Sequence, residues 1–309
     1  MPRRLLALAA VTLLAVAAPP AARAQRGDRA AQPPLRAIDT TFAFDDDGLV
    51  DLTQLSGEIV VTAWDRDEVR VVARAQYGRV DPSFSRQRIF LRVIPDAAHG
   101  GRLGDSRYEL LVPEGTRVKA AATSGAVRVS GTRGEVEIGT RTGAITVTDV
   151  QGLVTLTSLA GAVTTEAIDG DLAVSTAGGA VTARDVTGDV RVKTVGGAID
   201  LRDVDSRSVS AQSTGGSVTF EGSLAEGGRY ELGSHAGTVR LLLPEDASVE
   251  LTVETFTGEV ATDFPVTLAG GARRGARPRT LGFTLGDGAA RVSIQTFSGG
   301  IVLQRVGGG

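Results

Sequence analysis

The side chains able to do chemistry are few and far apart. The 309-residue chain has two histidines, His99 and His235, and no cysteine. That removes thiolate metal sites, a cysteine nucleophile and disulfide staples. His99 stands in a Gly-flanked segment, whereas His235 follows Ser234. Neighbours along a strand point to opposite faces, so Ser234 and His235 cannot act as nucleophile and base on their own. Asp149, Asp185 and Asp203 lie on an 18-residue spacing interrupted by Ala167, and Asp171 and Asp189 form a second short column. Stacked carboxylates on one face would bind Ca²⁺ or activate a water for glycoside hydrolysis. Asp beside a turn glycine more often bonds the turn backbone, and we read both columns that way. Asp45-Asp46-Asp47-Gly48 opens like a calcium loop but lacks the downstream Glu and precedes a strand, which predicts a hairpin turn instead.

Arg273, Arg274, Arg277 and Arg279, interleaved with Gly and Pro278, form the one concentrated basic segment. Guanidinium groups at this density suit the phosphates or carboxylates of an anionic envelope ligand, against the plainer reading of a solvated insertion. Trp64 is the lone tryptophan. Aromatic rings serve sugar stacking, but a core or cap role is the expectation for it. No HExxH, GxSxG, P-loop or GxGxxG pattern occurs in a suitable context, so we expect no catalytic residues, no metal, no cofactor and no enzyme activity. The formal charge of −3 is mildly acidic and does not fit a nucleic-acid partner.

A repeat positions these residues. Gly125-Ala126-Val127, Gly143-Ala144-Ile145, Gly161-Ala162-Val163, Gly179-Ala180-Val181 and Gly197-Ala198-Ile199 recur every 18 residues, with alternating Val and Thr between them. The period is too short for a helical hairpin and matches a chain wound into stacked coils. One inward column runs Val127, Ile145, Val163, Val181, Ile199 and Val218, with a second two residues on. Nine residues after the first comes Val136, Val154, Leu172 and Val190, which gives each coil two facing strands across a thin core. Val150, Ile168, Val186 and Val204 close the corner. Gly125, Gly143, Gly161, Gly179, Gly197 and Gly134, Gly152, Gly170, Gly188 mark the two bends per coil. Three residues before the bend glycines stand Thr140, Ser158, Thr176, Thr194, Ser213, Ser234, Thr255 and Thr296, placed to bond turn backbone, while Ala122 breaks that ladder. The expected fold is all-β, a β-helix-like β-solenoid of 18-residue two-strand coils with irregular β caps at both ends.

Residues 1–24 read as a signal peptide, from Arg3-Arg4, the apolar run Leu5 to Ala18 and the small-residue site Ala22-Arg23-Ala24. Residues 25–36 read as a flexible leader, 37–119 as an N-terminal strand and cap region, and 120–260 as regular coils. The remainder divides into C-terminal coils with the Arg/Gly-rich insertion at 261–305 and a tail at 306–309. Before the coils, Leu49–Leu52, Glu58–Thr62, Val69–Ala73, Arg88–Ile94 and Tyr108–Val112 read as short strands, with turn signals at Asp47-Gly48, Ser56-Gly57 and Asp81-Pro82. No later apolar run approaches the roughly 18 residues needed to span a bilayer, so we expect an exported chain of the periplasm, envelope or exterior, not an integral membrane protein.

Several phrases occur in one order: Ser56-Gly57-Glu58-Ile59-Val60-Val61 with Trp64-Asp65 and Glu68-Val69-Arg70; Tyr108-Glu109-Leu110-Leu111-Val112-Pro113; the Ser/Thr-x-x-Gly-x-Val coils; Leu243-Pro244-Glu245-Asp246-Ala247; Asp263-Phe264-Pro265; and Thr296-Phe297-Ser298-Gly299-Gly300-Ile301. Together they resemble the bacterial putative-adhesin domain family, a β-solenoid domain of unknown function, over about residues 38–305. The resemblance implies an exported module of the cell envelope with no catalytic residues to carry over. The partners we expect are an envelope glycan, lipopolysaccharide or an envelope protein, met through the outer faces of the coils or the Arg-rich segment. Two alternatives stay open: a carbohydrate-active solenoid enzyme with an acidic face, and a stalk that self-associates through its end strands.

Overall fold

The computed structural model describes residues 37–95, 104–264 and 279–306. The signal-peptide and leader assignments, and the tail beyond Val306, lie outside the described residues. Every described element is a strand. In chain order they are β1 (Ala37–Ala43), β2 (Leu49–Trp64), β3 (Glu68–Ala75), β4 (Arg79–Phe84), β5 (Arg88–Ile94), β6 (Ser106–Pro113), β7 (Arg117–Ser130) and β8 (Val136–Thr140). The regular coils supply β9 (Ile145–Gln151), β10 (Val154–Ser158), β11 (Val163–Asp169), β12 (Leu172–Thr176), β13 (Val181–Thr187), β14 (Val190–Thr194), β15 (Ile199–Asp205), β16 (Ser208–Ser213), β17 (Val218–Glu221), β18 (Arg229–Ser234) and β19 (Val239–Leu243). The chain ends with β20 (Val249–Thr255), β21 (Val260–Thr262), β22 (Arg279–Leu285), β23 (Ala290–Thr296) and β24 (Ile301–Arg305).

The strands form the two faces of a β-solenoid. One face runs β1-β3-β6-β2-β7-β9-β11-β13-β15-β17-β19-β24-β21, the other β4-β5-β2-β7-β8-β10-β12-β14-β16-β18-β23-β20-β22. Strands β2 and β7 run through both faces, so ladder pairing joins all 24 strands. Coil-to-coil pairing is parallel and in register, as in Val163↔Val181 and Val154↔Leu172. Among the described residues, antiparallel pairs occur only toward the ends, at β1–β3, β3–β6, β4–β5 and β20–β22.

Both ends depart from sequence order. Strand β2 sits between β7 and the later segments β5 and β6. Strands β23 and β24 sit between the β18–β19 coil and the earlier β20–β21 coil. Coil stacking therefore begins at Leu49, well before the repeat becomes visible at Ala120. The segments expected as separate strands around Leu49 and Glu58 are one strand, and the Ser56-Gly57 turn signal is a bend inside it, where Gly57 takes φ 115°. The hairpin expected at Asp45–Gly48 is also corrected. A turn is present, closed by Gly48 N–H to the Asp45 carbonyl at 3.0 Å, but β1 pairs with β3 and not with β2.

The inward columns are buried throughout, including Val127, Ile145, Val163, Val181 and Ile199 on one face and Val136, Val154, Leu172 and Val190 on the other. Each such side chain contributes about 1.5–3 kcal/mol of burial. Larger residues enter where the opposite one shrinks, as Phe220 does in the coil of Ala211, with its ring 5.6 Å from that of Tyr230. At the corner the alternation slips by one residue. Val147 points in, Thr148 out, and Asp149 takes φ 54°, so that Val150 returns to the core. Asp185 and Asp203 repeat this left-handed step at φ 52° and 54°, and Ala167 does so at φ 55°. All four drop out of the ladder register. Asp tolerates the left-handed region through local hydrogen bonding, whereas Ala meets its Cβ clash uncompensated.

Behind one bend runs a ladder of buried hydroxyls. Gly179 N–H donates to Thr176 Oγ1 at 3.1 Å and Gly197 N–H to Thr194 Oγ1 at 3.0 Å. Thr140 and Ser158 donate instead to the carbonyls of Gly143 and Gly161. Ser213 and Ser234 also donate across to the neighbouring coil, at the carbonyls of Gly197 and Gly216. At the Ala122 gap, Gln54 of the adjacent coil is buried and its Nε2 bonds the Ser56 carbonyl at 2.8 Å and Ser106 Oγ at 2.9 Å. Thr165 is different. It sits between Val147 and Ala183, fully buried, with no partner for its hydroxyl.

Two threonines therefore respond oppositely to the same change. Thr165→Val removes an orphaned hydroxyl at constant shape and raises stability by about 1–2 kcal/mol, whereas Thr176→Val strands the Gly179 amide and lowers it by about 1–2 kcal/mol. Urea unfolding followed by circular dichroism measures both, and equal signs would refute the assignment of the ladder. Ala167→Gly relieves the left-handed strain and raises stability by roughly 0.5–1 kcal/mol in the same assay. A loss there would show that the Ala167 methyl contributes more in contacts than it costs in strain.

Candidate interaction site

The sequence-derived candidates do not converge. Arg273, Arg274, Arg277 and His99 lie outside the described residues. Arg279 opens β22 with its backbone paired to Thr255, and its side chain is also outside the description. The two acidic columns take different roles. Asp149, Asp185 and Asp203 occupy the left-handed corner, and Asp171 Oδ1 accepts the Asp189 amide of the next coil at 3.1 Å. Asp46 Oδ1 accepts the Gly115 amide at 2.8 Å, and Asp45 pairs with Arg86. Among the described residues no three acidic or histidine side chains gather where they could hold a metal ion. Ser234 is buried in the hydroxyl ladder while His235 is exposed at the bend, so the two face apart. Trp64 is not a core residue. Its Nε1 donates to the Glu68 carbonyl at 2.7 Å and Arg66 lies 4.8 Å over its ring, which clips the turn between β2 and β3.

Toward the N-terminal end, outward charges alternate between strands. Glu58 is held by Arg128 and by Arg107, and Arg107 also pairs with Glu109. Hydrogen bonds to Asp39, Glu137 and Asp200, with their charges second, hold Arg70, Lys119 and Arg202 above their usual basicity. A cleft of about 750 Å³ opens beside this network, lined by Ser56, Ser106, Ser124 and Arg74. Its hydroxyls are already committed: Ser56 donates to Asp105, Ser106 to the Ser56 carbonyl and Ser124 to the Leu55 carbonyl.

The second cleft lies at the opposite end of the stack, beside the bend that carries the hydroxyl ladder. The residue after each buried hydroxyl projects outward, giving the column Arg141, Leu159, Ala177, Val195, Thr214, His235, Phe297 and Phe256 on successive coils. Leu159, Val195 and Phe297 are 54%, 58% and 46% exposed. The last three rings stack. His235 and Phe297 lie 4.7 Å apart at 8°, Phe297 and Phe256 4.9 Å apart at 5°. Beside them a groove of about 510 Å³ is lined on the strand face by Gln212, Gly233, Gln295 and Glu254. Apart from His235, this constellation was missed by sequence reasoning, and the signal that marks it is the position following Ser or Thr in each coil.

The family model for Toastrack DUF4097 matches residues 103–304, more than half of the chain. No curated protein matches the sequence. Similar solved structures include a putative cell adhesion protein from Clostridium sporogenes ATCC 15579, at 8% identity and TM-score 0.29, covering 87% of this chain and 100% of that one. A putative adhesin from Parabacteroides distasonis ATCC 8503 is 12% identical with TM-score 0.38, covering 88% and 98%. Another, from Bacteroides fragilis NCTC 9343, is 11% identical with TM-score 0.37, covering 87% and 97%. With its two-faced coils and this family match, the chain belongs to the Toastrack DUF4097 family of β-solenoid domains.

Proposed function

We propose that the chain is an exported, non-enzymatic interaction module of the cell envelope, an adhesin-like solenoid that binds its partner from the outer side of its coils. The observation that carries this reading is how the polar groups are used. The carboxylates of Asp171 and Asp46 accept backbone amides, the ladder hydroxyls bond the bend backbone, and Ser56, Ser106 and Ser124 bond neighbouring groups of the scaffold, leaving the outward residues as a displayed surface. Export rests on the Arg3-Arg4, Leu5–Ala18 and Ala22-Arg23-Ala24 pattern. No helix of the described residues is long and apolar enough to cross a membrane. For an anionic envelope ligand, the contact proposed from sequence is Arg273, Arg274, Arg277 and Arg279.

The purified chain from Gln25 onward, co-sedimented with sacculi, lipopolysaccharide and outer-membrane vesicles, tests this. Binding is expected to fall with added salt, and to weaken by about 2–4 kcal/mol when the four arginines are changed to Ala. Absence of binding to every fraction would remove the glycan and lipid partners and leave a protein partner or self-association.

A further inference from the structure

Gly233 has no role in the fold. It lies within β18, outside the set of positive-φ residues, and an added Cβ would meet only the Gln295 carbonyl oxygen at 3.7 Å and Gln212 Cγ at 3.9 Å. Glycine there weakens a strand without gaining a turn or a close approach. What it does is leave a gap in the outward column Gln212, Gly233, Gln295 and Glu254, with bare backbone between two carboxamides.

The gap opens beside the ring stack. Phe297 is covered on both faces, by His235 and by Phe256. His235 has Phe297 as its ring partner, and on its other side the neighbouring coil offers Thr214, too small to cover an imidazole. One aromatic face is therefore open and is held rigid by the rings behind it.

We propose that this groove binds a neutral glycan, with a sugar ring packed on the open face of His235 above Thr214 and the chain passing over the bare backbone at Gly233. Three features select that class. Carboxamides donate and accept together, matching hydroxyls that do the same. An aromatic face suits the apolar side of a sugar ring, in the usual mixture of apolar wall and few polar groups. Glu254 is the one fully charged group among the lining residues, and Lys193 enters the same outward column only beyond Gln212, so the Glu254 end of the groove repels an anionic polymer. Stacking fixes the His235 ring before the ligand arrives and lowers the ordering cost of binding. The proposal rests on the binding-module reading above but on none of the residues 273–279.

Affinity electrophoresis of the purified chain through gels containing dextran, galactomannan or hydroxyethyl cellulose, with polygalacturonate as the anionic comparison, tests it. The chain and its four-arginine variant are expected to be retarded by at least one neutral polymer and not by polygalacturonate. His235→Ala and Gly233→Gln are expected to lose about tenfold or more in affinity. Gly233→Gln separates binding from folding, because it fills the gap and should raise the melting temperature while retardation disappears. The proposal is overturned if no neutral polymer retards the chain, if only polygalacturonate does, or if both variants are retarded like the parent. Absent retardation with intact envelope co-sedimentation would sink the groove and leave the binding-module reading standing.

Discussion

The structure depends on one close approach, repeated at every coil. At the bend, each glycine lies against the carbonyl oxygen of the glycine one coil earlier, so that a Cβ on Gly143 would collide with Gly125, on Gly161 with Gly143, and on Gly179 with Gly161. Backbones this near fix the coil spacing and hold the strands on either side in register. In a sheet with one buried face, a register slip of a single residue would turn every inward side chain to solvent. The hydroxyl ladder lies immediately behind this contact and bonds the same bend glycines. Core columns, hydroxyl ladder and outward display all follow from that spacing.

The same contact records the order of coils in space. The glycine column runs from Gly57 to Gly125 and onward to Gly237, then to Gly299, and only then to Gly258. This inversion was not legible in the sequence, because the bend phrases around Gly258 and Gly299 both look like another turn of the repeat. The regular coils were legible because burial with a fixed period writes itself into columns of Val, Ile and Gly. The corner was legible as a column but not as a conformation. Asp149 and Ala167 share a backbone shape that composition alone does not reveal. Strand β2 was read as two strands because Ser56-Gly57 carries a turn signal whether the chain reverses or merely bends. The type of Trp64 suggests the core or a cap, and of the two the core is excluded, because its indole N–H donates to a carbonyl four residues away and keeps it at the turn.

Inserting a late coil inside an earlier one also manages the ends of the stack. A solenoid leaves two open sheet edges, and open edges recruit other strands. At the N-terminal end the outermost strands are the antiparallel β1 and β4, and β4 carries Pro82, which cannot donate a ladder hydrogen bond. At the other end β22 runs antiparallel outside β20, and β21 spans only Val260–Thr262. The last coil is gripped on both sides, by β18 and β20 on one face and by β19 and β21 on the other. A terminal segment that would otherwise fray is thereby held by two ladders instead of one.

That insertion has a chemical consequence. Phe297 lies 62 residues after His235 and 41 after Phe256 in sequence, yet stands between them in space. Had the coils stacked in chain order, Phe256 would have followed His235 directly and Phe297 would have come last. Gln295, the ladder neighbour of Gly233, arrives on β23, which ends one residue before Phe297. The topological device that closes the end of the scaffold therefore also assembles the groove, placing ring, carboxamide and bare backbone on adjacent coils. A site made this way forms only after the C-terminal coil has docked. It belongs to the completed solenoid and not to any single repeat, which is why no motif within one coil announces it.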